Sequence, residues 1–114
     1  MDNEQIKKQL DIKEGTITFW VKENKVIWND GKVYPLFELS EGGNSIFIIK
    51  DSDNKLKFFH VFLGKGRTDV ELDVSSLSNT ERHFIAATWS LSKKEIALYV
   101  DGDKLQNFSP INYA

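Results

Sequence analysis

Gly15-Thr16-Ile17-Thr18-Phe19-Trp20-Val21 decides the fold class: it is rich in β-branched and aromatic residues, and its apolar members recur with a period of two. Side chains of a strand point alternately to its two faces, so this pattern predicts a β-strand with one face turned to a core. Working outward, the same reading recurs at short intervals. It predicts strands at residues 16–22, 33–39, 45–50, 55–63, 68–74, 82–90, 95–100 and 104–108. Between them lie Asn29-Asp30-Gly31, Gly42-Gly43-Asn44, Asp51-Ser52-Asp53-Asn54, Gly64-Lys65-Gly66 and Asp101-Gly102. These residues tolerate positive φ or close Asx turns, as hairpins and tight corners require. Pro35 has no N–H to give to a ladder, which places the run 33–39 at a sheet edge or next to a bulge.

Two segments are not plainly β. Residues 2–11 carry Asp2 and Gln5 at capping-box spacing, with Ile6 and Leu10 one turn apart, which suits a short helix. Leu10 and Ile12 also alternate with Asp11 and Lys13, and this favours a strand leading into Gly15. Residues 75–81, with Ser78 and Glu81 at capping-box spacing, predict one helical turn between two strands. No internal repeat, low-complexity tract or linker is apparent. The expectation is one all-β domain over residues 1–114, a two-sheet antiparallel β-sandwich.

Composition sets the functional bounds. The 114 residues are 40% hydrophobic and 28% charged, ordinary for a chain with one core. The 15 basic and 17 acidic residues are interspersed and sum to a net charge of -2, so no nucleic-acid footprint is present. The absence of cysteine excludes disulfides and thiolate metal sites. The first ten residues are polar and charged where a signal peptide needs an apolar run. The longest apolar stretch, residues 58–63, is interrupted by His60 and is far short of the roughly 20 residues of a membrane-spanning helix.

Three stretches, Gly15-Thr-Ile-Thr-Phe-Trp-Val21, His83-Phe-Ile-Ala-Ala-Thr-Trp89 and Ile96-Ala-Leu-Tyr-Val-Asp-Gly102, resemble the laminin G-like, concanavalin A-like jelly roll in order and spacing. Leu36-Phe-Glu-Leu39, Ile46-Phe-Ile-Ile-Lys-Asp51 and Leu56-Lys-Phe58 extend the likeness over roughly residues 10–105. The resemblance implies a lectin-like recognition module with sugar as its default ligand and calcium as a common companion. The chain departs from that family in two ways. Arg82 stands where members carry a tryptophan before the histidine, and the sequence ends at Ala114, where members continue into further strands. A sandwich shortened there must cover the gap with its N-terminal segment or expose an edge to another subunit, which predicts a homo-oligomer. The run 55–63 points the same way. Leu56, Phe58 and Phe62 fall on one face, Phe59, Val61 and Leu63 on the other, so the second face needs a loop, the N-terminal segment or a partner.

Candidate sites follow from chemistry. Stacking on pyranose faces needs exposed aromatic rings beside amides and carboxylates, which Trp28, Asn29, Asp30 and Tyr34 offer on one loop and its rim. A buried loop anchor is the competing reading of Trp28. Trp20 and Trp89 lie in strand motifs and read as packing residues. For a cation such as calcium, the better candidates are Asp51, Asp53 and Asn54, ahead of Asp101-Gly-Asp103; neither turn alone reaches the six to eight oxygens that calcium takes. Two histidines, His60 and His83, cannot build a zinc site without carboxylates. Glycosidases of this fold carry Glu-x-Asp-x-x-Glu on a strand. Glu71-Leu-Asp73 begins that pattern, but Ser76 breaks it. Nothing marks a nucleophile elbow, and Gly64-Lys65-Gly66 is too short for a phosphate loop. Asn107-Phe-Ser109 fits a glycosylation sequon, made idle by Pro110 and the polar first residues. The sequence thus predicts a non-enzymatic module that binds a carbohydrate or protein partner. The alternative is a structural homo-oligomerising subunit, and a glycoside hydrolase remnant ranks third.

Overall fold

The computed structural model describes residues 13–113, and these form eight strands with no helix. They are β1 (Glu14–Val21), β2 (Tyr34–Glu41), β3 (Asn44–Lys50), β4 (Lys55–Phe62), β5 (Gly66–Asp73), β6 (His83–Ser90), β7 (Glu95–Val100) and β8 (Leu105–Pro110). One sheet has the order β1-β6-β7-β8 and the other β2-β3-β4-β5. Every pairing is antiparallel. The chain enters the first sheet with β1, builds the second as a meander, and returns to place β6 beside β1. Each predicted strand matches an observed one. The strand or helix expected over residues 2–11 lies outside the described residues.

The core is where the two inner faces meet. Ile85, Ala87, Trp89, Ile96, Leu98 and Val100 from the first sheet face Ile46, Ile48, Leu56, Phe58 and Val70 from the second, all buried. Trp89 meets Phe58 edge-on, with ring centroids 6.0 Å apart. Gly15 is obligatory beside this ring: a Cβ there would stand 2.7 Å from Trp89 Cζ2. Pro35 acts as its chemistry requires, since β2 is an edge strand and its register shifts between Pro35 and Phe37.

The residues 75–81 depart from expectation, forming two consecutive turns rather than a helical turn. Side chains outcompete the helix here. Thr80 N–H donates to Ser78 Oγ (3.3 Å), and Asn79 Oδ1 accepts the distant Trp28 N–H (2.8 Å).

The two long sides of the sandwich differ. Beside β5 and β8 the sheets are joined, with Asn107 Nδ2 donating to the Glu71 carbonyl (2.9 Å). Residues 111–113 then fold back over the seam. Ile111 is buried and its N–H donates to the Lys94 carbonyl (2.8 Å). Tyr113 stacks on the buried His60 and donates its hydroxyl to the His60 carbonyl (3.0 Å). Residues 111–113 therefore cover this side of the sandwich. On the opposite side β1 and β2 end their sheets, and a groove of about 320 Å³ runs between Phe19, Trp20 and Val21 of β1 and Pro35 and Leu36 of β2.

Candidate functional site

The loop expected to carry a sugar platform is instead a structural anchor. Trp28 is 1% exposed, with its ring edge-on to His83 at 5.5 Å. Asn29 Oδ1 receives Asn79 Nδ2 at 3.4 Å. Asp30 accepts from Lys50 Nζ (2.8 Å), the Lys32 N–H (3.0 Å) and the Tyr34 hydroxyl. Lys50 is fully buried, and its ammonium also donates to the Lys32 carbonyl (2.8 Å) beside the Tyr34 ring. A buried ammonium needs such a complete set of partners. Burial pushes the Asp30 carboxyl up, but hydrogen bonds from Lys50, Tyr34 and the Lys32 amide prevail and hold its pKa at about 2. The same contact with Asp30 raises the Tyr34 phenol. The four residues thus fall into two sets of contacts, Trp28 and Asn29 at Asn79 and Asp30 and Tyr34 at Lys50, which tie residues 28–34 to the sandwich.

Asp51 and Asp53 converge on a cation the protein supplies itself, whereas Asn54 turns elsewhere. Lys57 Nζ lies 3.0 Å from a carboxylate oxygen of Asp51 and 3.0 Å from one of Asp53. Its hydrogen bonds hold both carboxyls below the ordinary aspartate range, and they in turn raise the lysine. Asn54 adopts φ +61 and turns its amide oxygen to the Gly31 N–H (2.9 Å). The Lys57 ammonium thus lies between the two carboxylates expected to face a cation. Among the described residues no cluster of three or more His, Cys, Asp or Glu side chains suits a metal ion. Asp101 is committed elsewhere, to His83 Nδ1 (2.7 Å) and the Phe84 N–H (2.9 Å). His83 Nε2 faces the Ser78 carbonyl at 2.8 Å and so carries a proton, which makes the ring a latch between this loop and β6. Glu71 pairs with Lys55 (3.2 Å), and Asp73 accepts from Ser75.

Among the described residues, the outer face of the β1-β6-β7-β8 sheet is open to a ligand. Trp20, read from sequence as a packing residue, is 56% exposed. The registers set Thr16 beside Thr88, Ala97 and Phe108, and Thr18 beside Ala86, Tyr99 and Gln106. Trp20 lies beside Phe84, their ring centroids 5.0 Å apart. At the other end of the face Tyr99 and Phe108 meet edge-on at 5.9 Å, and Phe108 is 47% exposed. Ala86 and Thr88, both half-buried, lie between these aromatic pairs, and Ala97 is buried. The solvated face of an antiparallel sheet is ordinarily polar, yet none of these ten positions carries a charge. Charge returns only at the borders, with Glu14 and Glu95 at one end and Arg82, over the Trp20 ring at 5.1 Å, at the other.

No known family model, curated protein or solved structure matches this chain. The face must be judged on its chemistry, which is flat, neutral, aromatic at two corners and lined between them by hydroxyls and one amide.

The outer face of the other sheet is different. Phe47 and Phe59 are cross-strand neighbours meeting edge-on at 6.4 Å, flanked by Ile49 and Val61. This is the second apolar face anticipated for the run 55–63, and it stays partly exposed among the described residues. Arg67 covers part of it, its guanidinium 4.8 Å from the Phe59 ring and paired with Asp69 (2.7 Å).

Proposed function

We propose that this β-sandwich is a non-enzymatic recognition module that holds a neutral carbohydrate chain on the outer face of its β1-β6-β7-β8 sheet. The observation that carries the proposal is the charge-free face with exposed Trp20 and Phe108 at its corners. Apolar CH faces of pyranose rings stack on such aromatics, while Thr16, Thr18, Thr88 and Gln106 supply directional hydrogen bonds to hydroxyls. An anionic polymer would want cationic partners here, and the ten positions have none. The likeness of three stretches to the concanavalin A-like, laminin G-like jelly roll supports a lectin-like role. The platform moves from Trp28, which is buried, to Trp20.

Affinity electrophoresis through gels holding starch, xyloglucan, galactomannan or xylan tests this reading. At least one polysaccharide should retard the wild-type chain. Trp20→Ala and Phe108→Ala should each abolish most of that retardation, whereas Phe59→Ala on the opposite sheet should not. Failure of every gel to retard the protein, or retardation indifferent to Trp20 and Phe108, refutes the assignment.

A further inference from the structure

Of the four sheet edges formed by the described residues, β1 alone lacks a guard. β5 carries Arg67, Asp69, Glu71 and Asp73, and its seam is closed by β8 through Asn107. β2 has Pro35, a bulge, Glu38 and Glu41. Charge, proline and bulges are the usual means of keeping an edge from pairing. From Gly15 to Val21 β1 has none of them.

The direction of its free backbone groups follows from the ladder. The Leu91 N–H donates to the Lys13 carbonyl (2.8 Å), in register with the β1–β6 pairs. Hydrogen-bonded pairs alternate along an antiparallel ladder, so Gly15, Ile17, Phe19 and Val21 turn their N–H and C=O toward β6. Thr16, Thr18 and Trp20 turn theirs away, and among the described residues no strand receives them.

We propose that a second copy of this chain pairs with this edge, β1 to β1 in antiparallel, with Thr18 opposite Thr18 of the second copy. Thr18 is the midpoint of a complementary segment. About that centre Thr16 faces Trp20 and Ile17 faces Phe19, both favourable cross-strand pairs, and Gly15 faces Val21. Glu14 faces Lys22, so opposite charges meet at both ends. The outward-facing groups of Thr16, Thr18 and Trp20 satisfy one another in this register. Ile17 and Phe19, only partly buried because the β1–β2 seam is open, gain cover from the second copy. The two neutral outer faces join into one eight-stranded surface. This inference rests on the edge and not on carbohydrate binding: a monomer that binds polysaccharide refutes the dimer alone, and a dimer that binds none refutes the lectin reading alone.

Light scattering on the full chain across a dilution series from about 500 to 1 µM should show a dimer that dissociates on dilution, as expected of a small interface. Thr18→Pro removes a donor that β6 does not use, so it should keep the fold by circular dichroism and yield a monomer. Glu14→Lys and Lys22→Glu each set like charges together at both ends and should raise Kd about tenfold. Mixed in equal amounts, these two variants restore opposite charges throughout: the introduced lysine meets the introduced glutamate at one end, and the native Lys22 meets the native Glu14 at the other. The mixture should recover near wild-type association. A chain monomeric throughout overturns the proposal. So does a dimer indifferent to both Thr18→Pro and the charge reversals, or two weakened variants that fail to recover on mixing.

Discussion

Trp28→Ala separates a core tryptophan from a binding one. The ring is 1% exposed, meets His83 edge-on, and its backbone N–H is capped by Asn79. An indole removes roughly 150–250 Å² from water, worth about 4–6 kcal/mol at about 25 cal/mol per Å² as an upper bound. Truncations of large buried aromatics cost about 3–5 kcal/mol, and the cavity would open beside the His83–Asp101 latch. At about 4 °C per kcal/mol for a domain of this size, the midpoint of thermal unfolding should fall by about 12–20 °C. Trp20→Ala is the internal control. With its ring more than half exposed and resting on Phe84 and Arg82, it should cost only about 1 kcal/mol. Differential scanning calorimetry of the two variants reads both numbers. A drop of only a few degrees for Trp28→Ala, or a larger one for Trp20→Ala, would refute the roles assigned to the two rings.

Further outcomes follow from particular contacts. Gly15→Ala drives a methyl into the Trp89 ring and should cost about 1–3 kcal/mol in urea denaturation, although alanine is ordinarily harmless in an exposed edge strand. Asp30 is held at about 2, against 3.8 for its ordinary value. The unfolded chain therefore takes up its proton first as pH falls, and stability present above about pH 5 should drain away toward pH 2. Asp51, Asp53, Asp73 and Asp101 are lowered in the same direction and add to that slope. Asp30→Asn should flatten it while lowering stability at neutral pH, because the buried Lys50 loses its carboxylate. Lys57→Met should raise the titration midpoints of Asp51 and Asp53 in carboxyl-detected NMR, with a stability change within about 1 kcal/mol because both carboxylates keep contact with water.

Most of the architecture was legible because it is written locally. Period-two alternation, Gly and Asx turns and Pro35 located the strands, and edge position followed from the chemistry of proline. The tryptophans show where local reading runs out: two readings of Trp28 stay open and only burial decides for the anchor, while Trp20 is exposed rather than packed. Trp28 sits in a turn-rich loop whose burial depends on Asn79, His83 and the Asp30–Lys50 pair, and the first two of these lie some fifty residues away in sequence. Trp20 could have been placed correctly, since it shares its parity with Thr16 and Thr18, while Ile17, Phe19 and Val21 occupy the other. Its aromatic size outweighed its phase. The neutral face was hidden for another reason: Trp20, Phe84, Tyr99 and Phe108 come from four strands, and only the register assembles them. Likewise Lys57 reads as one more strand lysine until folding sets its ammonium between Asp51 and Asp53.

The indole N–H signals of the 3 tryptophans provide the most direct test of where a ligand lands. They should be followed in a proton–nitrogen NMR titration with malto-, xylo-, manno- and galacto-oligosaccharides. The account predicts that the Trp20 signal moves together with the amides around Phe84, Tyr99 and Phe108, while those of Trp28 and Trp89 stay in place. Shifts centred on residues 28–34 or on Phe47 and Phe59, or no shift with any of the sugars, would contradict it.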